Sequence, residues 1–175
     1  MDQDTGSVYM QSSYKDIQLY GLRNFTIKKL DFNLINNKLK AVMKFPKIFM
    51  KSEYTIDGKI MMLPIVGAGP CNANFTDVEI DLNILWEIVS KENQAYFKIN
   101  DIEVHYQVGN AQIHLLHLFN GDNALSESMN QYINENWDTI SEDFRPLLQE
   151  ALREFIKTAS DKLFTVYSYN DLLPE

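Results

Sequence analysis

The hydrophobic pattern of this chain changes its period once, and no other feature of the sequence constrains the fold as tightly. From residue 14 to about residue 118, apolar and polar side chains alternate with a period near 2, which is typical of strands that bury one face. From residue 124 to about residue 164, apolar side chains repeat with a period near 3.6, which is typical of an amphipathic helix. The sequence therefore predicts an antiparallel sheet followed by one long helix.

The alternation is clearest in two segments, residues 74–89 and residues 96–108. The polar stretch 90–94 between them has the length of a hairpin loop, so the two segments are predicted to pair antiparallel. Weaker alternation predicts earlier strands at residues 14–20, 24–34, 38–50 and 54–66, separated by turn signals at Asn36-Asn37, Lys51-Ser52 and Asp57-Gly58. The segment Gly67-Ala68-Gly69-Pro70 is also interpreted as a turn between two strands.

The longest predicted strands exceed the usual length of about 5 or 6 residues, and long strands with one apolar face must curl around something. The helical segment is the candidate, because an apolar stripe runs from Leu125 to Leu163 at helical spacing. Pro146 lies inside this run and removes one backbone hydrogen bond, so a kink or break is expected near Asp143. Such a bend would let the helix follow a curved sheet.

Composition narrows the classes of function. The 175 residues fit a single domain covering residues 1–175. Acidic residues number 24 against 16 basic ones, and the resulting net charge of -8 argues against nucleic acid and anionic membranes as partners. No apolar run of 18 residues is present, so no membrane span is predicted, and residues 1–4 lack the features of a signal peptide.

Cysteine content and sequons give opposite indications about the cellular compartment. Cys71 is the only cysteine in the sequence, so no internal disulfide or thiolate metal cluster can form, which taken alone favours a reducing compartment. The sequons that begin at Asn24 and Asn74 are candidate glycosylation sites if the chain enters the secretory pathway.

The chain lacks the sequence motifs of common catalytic and nucleotide-binding sites. The nucleophile motif G-x-S-x-G is absent, which argues against an esterase acting on a lipid ester. His105, His114 and His117 would be the residues of a metal site, but positions i and i+3 of a strand point to opposite faces. The carboxylates lie mostly on the predicted polar faces. No catalytic residue, metal or cofactor is therefore predicted.

No catalytic or metal-binding motif accounts for the many bulky apolar side chains of the sequence. They include several methionines, whose flexible side chains adapt to irregular ligands. Two interpretations stay open, a dry core and an apolar cavity, and for any single residue the dry core is favoured. A continuous cavity of several hundred Å³ would distinguish them.

Several spaced motifs resemble those of the insect takeout and juvenile hormone-binding proteins. The resemblance spans nearly the whole chain, and its motifs occur in the family's order. The matching residues are Tyr54, Gly58, Leu63-Pro64-Ile65-Val66-Gly67-Ala68-Gly69-Pro70, Asn74-Phe75-Thr76-Asp77-Val78, Leu118-Phe119-Asn120-Gly121, Asn134-Glu135-Asn136-Trp137 and Phe144-Arg145-Pro146.

The resemblance implies an α+β tubular lipid-binding (TULIP-like) fold, in which a highly curved antiparallel sheet wraps a long C-terminal helix around an apolar tunnel. It further implies an extracellular protein of haemolymph or sensory fluid, a circadian connection, and carriage of juvenile hormone or another terpenoid, fatty or quinone-like molecule. Family members are longer at the N-terminus, where they carry a signal peptide and a disulfide pair. The chain is thus expected to be an N-terminally short form.

The sequence and the resemblance together predict a non-catalytic carrier of a small hydrophobic ligand, with no cofactor. The alternative is a protein-interaction module with a dry core and no ligand, and a protein receptor stays unidentified in either case. Alternation and helix facing select as candidate ligand-lining residues Met43, Phe45, Met62, Ile80, Leu82, Trp86, Val104, Met129, Ile133, Trp137 and Phe144.

Overall fold

A run of long strands followed by helices makes up the computed structural model, which describes residues 2–4 and 8–173. The predicted change from strand to helix is confirmed. The strands are β1 (Asp2–Asp4), β2 (Val8–Tyr20), β3 (Thr26–Asn33), β4 (Lys38–Ile60), β5 (Leu63–Lys91) and β6 (Gln94–Leu115). After a 3-10 turn at Phe119–Gly121 come the helices α1 (Asn123–Glu135), α2 (Trp137–Val166) and α3 (Tyr169–Leu172).

All the strands named here belong to one sheet, with the order β1-β2-β4-β5-β6 and with β3 also paired to β4. β2 runs antiparallel to the second half of β4, with a bulge between Lys15 and Gln18. β3 runs antiparallel to the first half of β4, from Thr26 opposite Lys44 to Asn33 opposite Lys38. The predicted hairpin between β5 and β6 is confirmed, and its turn is only Glu92-Asn93.

Two predicted turns in the first half of the sheet are wrong. Lys51-Ser52 and Asp57-Gly58 both lie inside the continuous strand β4. Burial alternates through both positions, since Ser52, Tyr54, Ile56 and Ile60 are all buried. The apolar alternation therefore outweighs the local turn propensity of the pairs. The actual turn is Met61-Met62, where both residues have a positive φ.

The predicted turn at Gly67-Ala68-Gly69-Pro70 is also wrong, because these residues lie within β5. Gly67 and Gly69 have no side chain, so the backbone of this segment can lie close to the backbone of the residues that follow β6. A Cβ atom on Gly67 would stand 2.9 Å from the Cα of Leu118, a residue with no exposed surface. A Cβ atom on Gly69 would stand 2.9 Å from the carbonyl oxygen of Leu116. The segment is thus a strand packed against the chain that follows β6.

The helical region is interrupted at Asn136 and not near Asp143, so the predicted position of the break is wrong. The Asn136 side chain donates a hydrogen bond to the carbonyl oxygen of Tyr132 at 2.8 Å, and the backbone N–H of Asn136 donates to the same oxygen. An asparagine amide competes in this way with continued helical bonding. Pro146 lies inside α2, which continues to Val166.

Helix α1 is joined to β6 by two asparagine side chains one helical turn apart. The Asn130 amide accepts a hydrogen bond from Leu115 N–H at 2.8 Å and donates to Leu115 C=O at 2.9 Å. The Asn134 amide repeats this pattern with Ile113, at 2.7 and 2.8 Å. Each carboxamide therefore acts as one residue of an added strand and satisfies backbone groups at the sheet edge.

The described residues form two compact units, each with its own core. The first unit comprises the described residues within 1–25, together with 45–78 and 108–145, and the second comprises 26–44, 79–107 and the described residues from 146 onward. The core of the first unit consists of Tyr54, Ile56, Ile60, Ile65, Cys71, Leu115, Leu118, Met129, Ile133 and Ile140. The core of the second unit consists of Leu82, Ile84, Trp86, Phe97, Ile99, Ile102 and Val104.

Candidate ligand-binding site

A continuous series of aromatic rings crosses the second unit. Phe32 stacks on Trp86 with ring centroids 5.1 Å apart, and Trp86 meets Phe97 edge-on at 5.8 Å. Phe97 contacts Phe164 at 5.4 Å and Tyr169 at 5.0 Å. These distances fall in the range of favourable aromatic pairs. We call these five residues the aromatic array.

Five different elements contribute the five rings of the aromatic array. Trp86 and Phe97 lie on β5 and β6, while Phe32 comes from β3 and Phe164 from α2. Tyr169 opens α3, whose start is fixed by a capping box between Ser168 and Asp171. The hydrogen bonds from the Ser168 hydroxyl and backbone N–H lower the pKa of the Asp171 carboxyl. The site is thus held by the sheet and by a capped helical turn.

Trp86 supplies a polar group inside this apolar surrounding. Its side chain is 5% exposed, and its indole N–H has no hydrogen-bond acceptor among the described residues. A buried indole N–H usually has a partner, and leaving it unpaired costs about 1 to 3 kcal/mol. An acceptor oxygen on a bound molecule would remove that cost.

One end of the aromatic array reaches an open cavity of about 240 Å³. Phe97, Phe164 and Val89 form its apolar lining, and Lys98 and Asp161 are among its polar lining residues. These two charges are already paired, Lys98 with Glu87 and Asp161 with Lys157, each at 2.6 Å. The cavity is somewhat smaller than the roughly 300 to 1,000 Å³ of typical small-molecule sites.

The other end of the aromatic array is a half-exposed apolar surface on β3. Phe32, Leu30 and Ile27 are 44%, 58% and 52% exposed. The strand register places them opposite residues of β4 that face the core, with Leu30 opposite the buried Ala41. Because paired residues share a face of a sheet, these side chains lie on the core side of β3 while retaining access to solvent.

The structure divides the sequence-predicted lining residues between the two units. In the second unit, Leu82, Trp86 and Val104 belong to the core, and Met43 and Ile80 pack against it. These five are brought together with the aromatic array. None of them lines the 240 Å³ cavity.

The six other predicted lining residues lie in the first unit. Met129 and Ile133 are core residues and Phe144 packs against the same core, while Phe45 is buried and contacts Phe25. Trp137 contacts Phe75 with ring centroids 6.1 Å apart. Met62 is 84% exposed in the turn between β4 and β5 and joins neither core.

Sequence reasoning missed Phe32, Phe97, Phe164 and Tyr169. The signal for Phe97 was obscured because the buried positions of β6 change from odd to even numbers between Ile99 and Ile102. At this point Asp101 accepts a hydrogen bond from the Ile102 N–H at 2.9 Å. Extending the alternation backwards from Ile102 therefore places Phe97 on the wrong face.

Two side chains with titratable groups, Cys71 and Tyr54, are buried in the core of the first unit. Burial raises the pKa of the Cys71 thiol, which is 1% exposed, so the nucleophilic thiolate is disfavoured. Burial and the neighbouring Cys71 and Tyr14 raise the pKa of Tyr54 to about 12. The Tyr54 hydroxyl donates to the carbonyl oxygen of Leu116 at 2.7 Å and so fixes the chain after β6.

The described part of the chain has neither a side-chain cluster for a metal ion nor a membrane-spanning helix. No group of three or more His, Cys, Asp or Glu side chains in residues 2–4 and 8–173 is arranged to hold a metal ion. Over the same residues, no helix has both the length and the apolar character needed to cross a bilayer.

Comparison with known proteins places the chain in a family. The model of the haemolymph juvenile hormone binding protein family matches residues 1–174. The circadian clock-controlled protein daywake of Drosophila yakuba is 25% identical over 162 residues, which are 89% of this chain and 62% of that protein. Daywake of Drosophila melanogaster is 25% identical over 171 residues, which are 94% of this chain and 66% of that protein. The chain thus spans slightly less than two thirds of the length of these relatives.

The fold has a solved counterpart in the crystal structure of Epiphyas postvittana Takeout 1. That structure superposes with a TM-score of 0.76 and 27% sequence identity, covering 90% of this chain and 74% of the other. The predicted α+β TULIP-like fold is therefore confirmed. Since the family model matches almost the full sequence, the chain belongs to the haemolymph juvenile hormone binding protein family, the takeout group included.

Proposed function

We propose that this protein is a non-catalytic carrier of a small hydrophobic molecule that bears a hydrogen-bond acceptor. Family membership supports hydrophobic ligand binding in general. The observation that carries the finer proposal is the buried indole N–H of Trp86, which lies within an aromatic core and has no acceptor in the described part of the chain. A purely apolar core gains nothing from that group, whereas a carbonyl, ester or epoxide oxygen would accept a hydrogen bond from it.

The energetics of such a site favour an elongated ligand. Each ligand methylene removed from water contributes about 0.8 kcal/mol, so a dozen carbons give roughly 10 kcal/mol before the costs of ordering. A hydrogen bond to Trp86 adds about 1 kcal/mol and fixes the position of the ligand along the aromatic array. Juvenile hormone, other terpenoids, fatty esters and quinone-like lipids all combine a long apolar body with acceptor oxygens.

The ligand would lie along the core side of the sheet in the second unit. Its entry is the half-exposed apolar surface formed by Phe32, Leu30 and Ile27. The cavity beside Phe97 and Phe164 is too small to enclose a dozen carbons without rearrangement. The core must therefore open on binding, which requires the ring of Phe97 or Phe164 to move.

An extracellular location belongs to the same proposal. The matching family is named for haemolymph proteins. Asn24 is exposed between β2 and β3, whereas Asn74 is half-buried within β5. If the chain is secreted, we expect Asn24 to be the better glycan acceptor of the two.

Ligand identity is tested by purifying the protein from insect cells, extracting it with organic solvent and analysing the extract by mass spectrometry. A stoichiometric hydrophobic molecule with an acceptor oxygen is expected, and a matched lipid-free protein gives the background. An empty protein that also fails to take up a hydrophobic fluorophore would favour the rival function, a protein-interaction module with a dry core.

The role of Trp86 is tested by displacing the fluorophore with a long-chain methyl ketone and with the alkane of the same length. In the Trp86→Phe variant, ketone affinity should fall about 5-fold to 10-fold while alkane affinity changes little, because only the ketone uses the N–H. Trp137→Phe is the matched control and should alter neither. Equal losses for ketone and alkane would show that Trp86 acts only through packing.

A further inference from the structure

Although the net charge of the chain is negative, one segment of it is basic. Residues 26–44, which form β3, the following turn and the first part of β4, contain five lysines and one aspartate, a net charge of +4. The other 156 residues must then carry a net charge of -12 to give the total of -8. We call residues 26–44 the basic hairpin. Such a separation of charge is typical of a surface that meets an anionic partner.

The lysines of the basic hairpin are concentrated on one face. The β3–β4 register places Lys29, Lys38, Lys40 and Lys44 on the side opposite to the core-facing residues. Lys29 and Lys40 are exposed and Lys38 is half-buried. Among the residues that the structure describes, these three form no ion pair, whereas Lys28 is paired with Glu79. The register also places Asp31 on this face, opposite Lys40. The four lysines outnumber that one carboxylate, so the β3–β4 face keeps a net positive charge that is available to an external anion.

The tip of the basic hairpin exposes apolar side chains beside these charges. Ile35 is 94% exposed and Leu34 is 45% exposed. Two hydrogen bonds anchor the turn. The Asn33 side chain accepts one from the backbone N–H of Asn36 at 2.9 Å, and the backbone C=O of Asn37 accepts one from the backbone N–H of Trp86 at 3.2 Å. The turn thus presents a fixed apolar tip and is not simply a loose loop.

We propose that the basic hairpin docks on an anionic lipid surface, with Leu34 and Ile35 entering the headgroup boundary and Lys29, Lys38 and Lys40 contacting lipid phosphates and carboxylates. Apolar anchors combined with adjacent lysines are the pattern that binds peripheral proteins to such surfaces. A symmetric contact between two copies through this hairpin would bring together two segments of charge +4, so a lipid surface is the complementary occupant.

The test is co-sedimentation of the protein with vesicles of phosphatidylcholine alone and of phosphatidylcholine mixed with phosphatidylserine. Binding is expected only to the mixed vesicles and should weaken as salt is added. The triple variant Lys29→Glu/Lys38→Glu/Lys40→Glu should bind roughly 100-fold more weakly, since each lysine near an anionic surface contributes about a 5-fold gain. Ile35→Ser should bind about 10-fold more weakly.

Matched controls separate this surface from general charge effects. Lys15→Glu/Lys59→Glu/Lys162→Glu changes the net charge by the same amount at exposed positions outside the basic hairpin. Met62→Ser removes an exposed apolar side chain from a different turn. Both controls should retain vesicle binding.

Three results would overturn the proposal: no binding of the unaltered protein to mixed vesicles, equal losses in the two triple variants, or self-association that the hairpin variants abolish. Circular dichroism of each variant checks that the fold is kept. The vesicles contain no carried ligand, so a negative result here would leave ligand carriage untouched.

Discussion

At the scale of single residues, Met62 combines a side chain suited to a hydrophobic ligand with a position in an exposed turn. Its flexible apolar side chain suits an irregular ligand. The structure places it in the turn between β4 and β5, with a φ of 74° and 84% of its surface exposed. Non-glycine residues adopt such a φ at a cost, and two-residue hairpin turns favour glycine or asparagine there.

Met62→Gly is therefore expected to stabilise the protein by about 1 kcal/mol, measured as the free energy of unfolding in urea. Met61→Gly is the matched control. Met61 also has a positive φ, but it packs against the core of the first unit and accepts a hydrogen bond from the Tyr132 hydroxyl. The control should destabilise the protein. A loss of stability in Met62→Gly would mean that this side chain makes contacts that its exposure does not suggest.

At the scale of elements, the sequence predicted the alternation of β5, and of β6 from Ile102 to Tyr106, correctly, because a strand with one buried face alternates apolar and polar residues. Val78, Leu82 and Trp86 are buried while Asp81 between them is exposed. Turn signals were less reliable. Asp57-Gly58 and Gly67-Ala68-Gly69-Pro70 have turn-forming residues, yet both lie in strands. Only tertiary contacts, such as the approach of Gly67 to Leu118, determine that outcome.

The aromatic array could be predicted only in part, for a related reason. Trp86 lies on a regular stretch of β5 and was identified as a candidate. Phe97 follows a change in the phase of burial along β6. Phe32 and Tyr169 come from distant segments whose pairing and packing a single sequence does not reveal.

The asparagine pair on α1 leads to a prediction about how this helix is attached. Asn130→Ala would leave the N–H and C=O of Leu115 without partners, because the Asn130 amide bonds both. We expect a loss of about 2 to 3 kcal/mol in the free energy of unfolding and faster amide hydrogen exchange at Leu115. Gln131→Ala is the control, since its side chain donates a hydrogen bond to Glu135 on the exposed face. If both variants had the same free energy of unfolding, the hydrogen bonds between the Asn130 side chain and Leu115 would contribute nothing to the attachment of α1.

At the scale of the whole molecule, the expectation of a single domain becomes a proposal about cooperativity. Strands β4, β5 and β6 and helix α2 each contribute residues to both compact units. Unfolding one unit alone would therefore end three strands and a helix partway along their length, and the backbone hydrogen-bonding groups at those ends would be exposed. We propose that the units unfold together despite their separate cores.

The two tryptophans allow a direct test, because Trp137 lies in the first unit and Trp86 in the second. Fluorescence of the Trp86→Phe variant reports the first unit, and fluorescence of Trp137→Phe reports the second. For each variant, the urea midpoint from fluorescence should equal the midpoint from far-ultraviolet circular dichroism, which reports the whole chain. Comparing two probes within one variant removes the effect of each substitution on overall stability. A fluorescence midpoint that departs from the dichroism midpoint in either variant would instead identify two folding units, each stabilised by its own core.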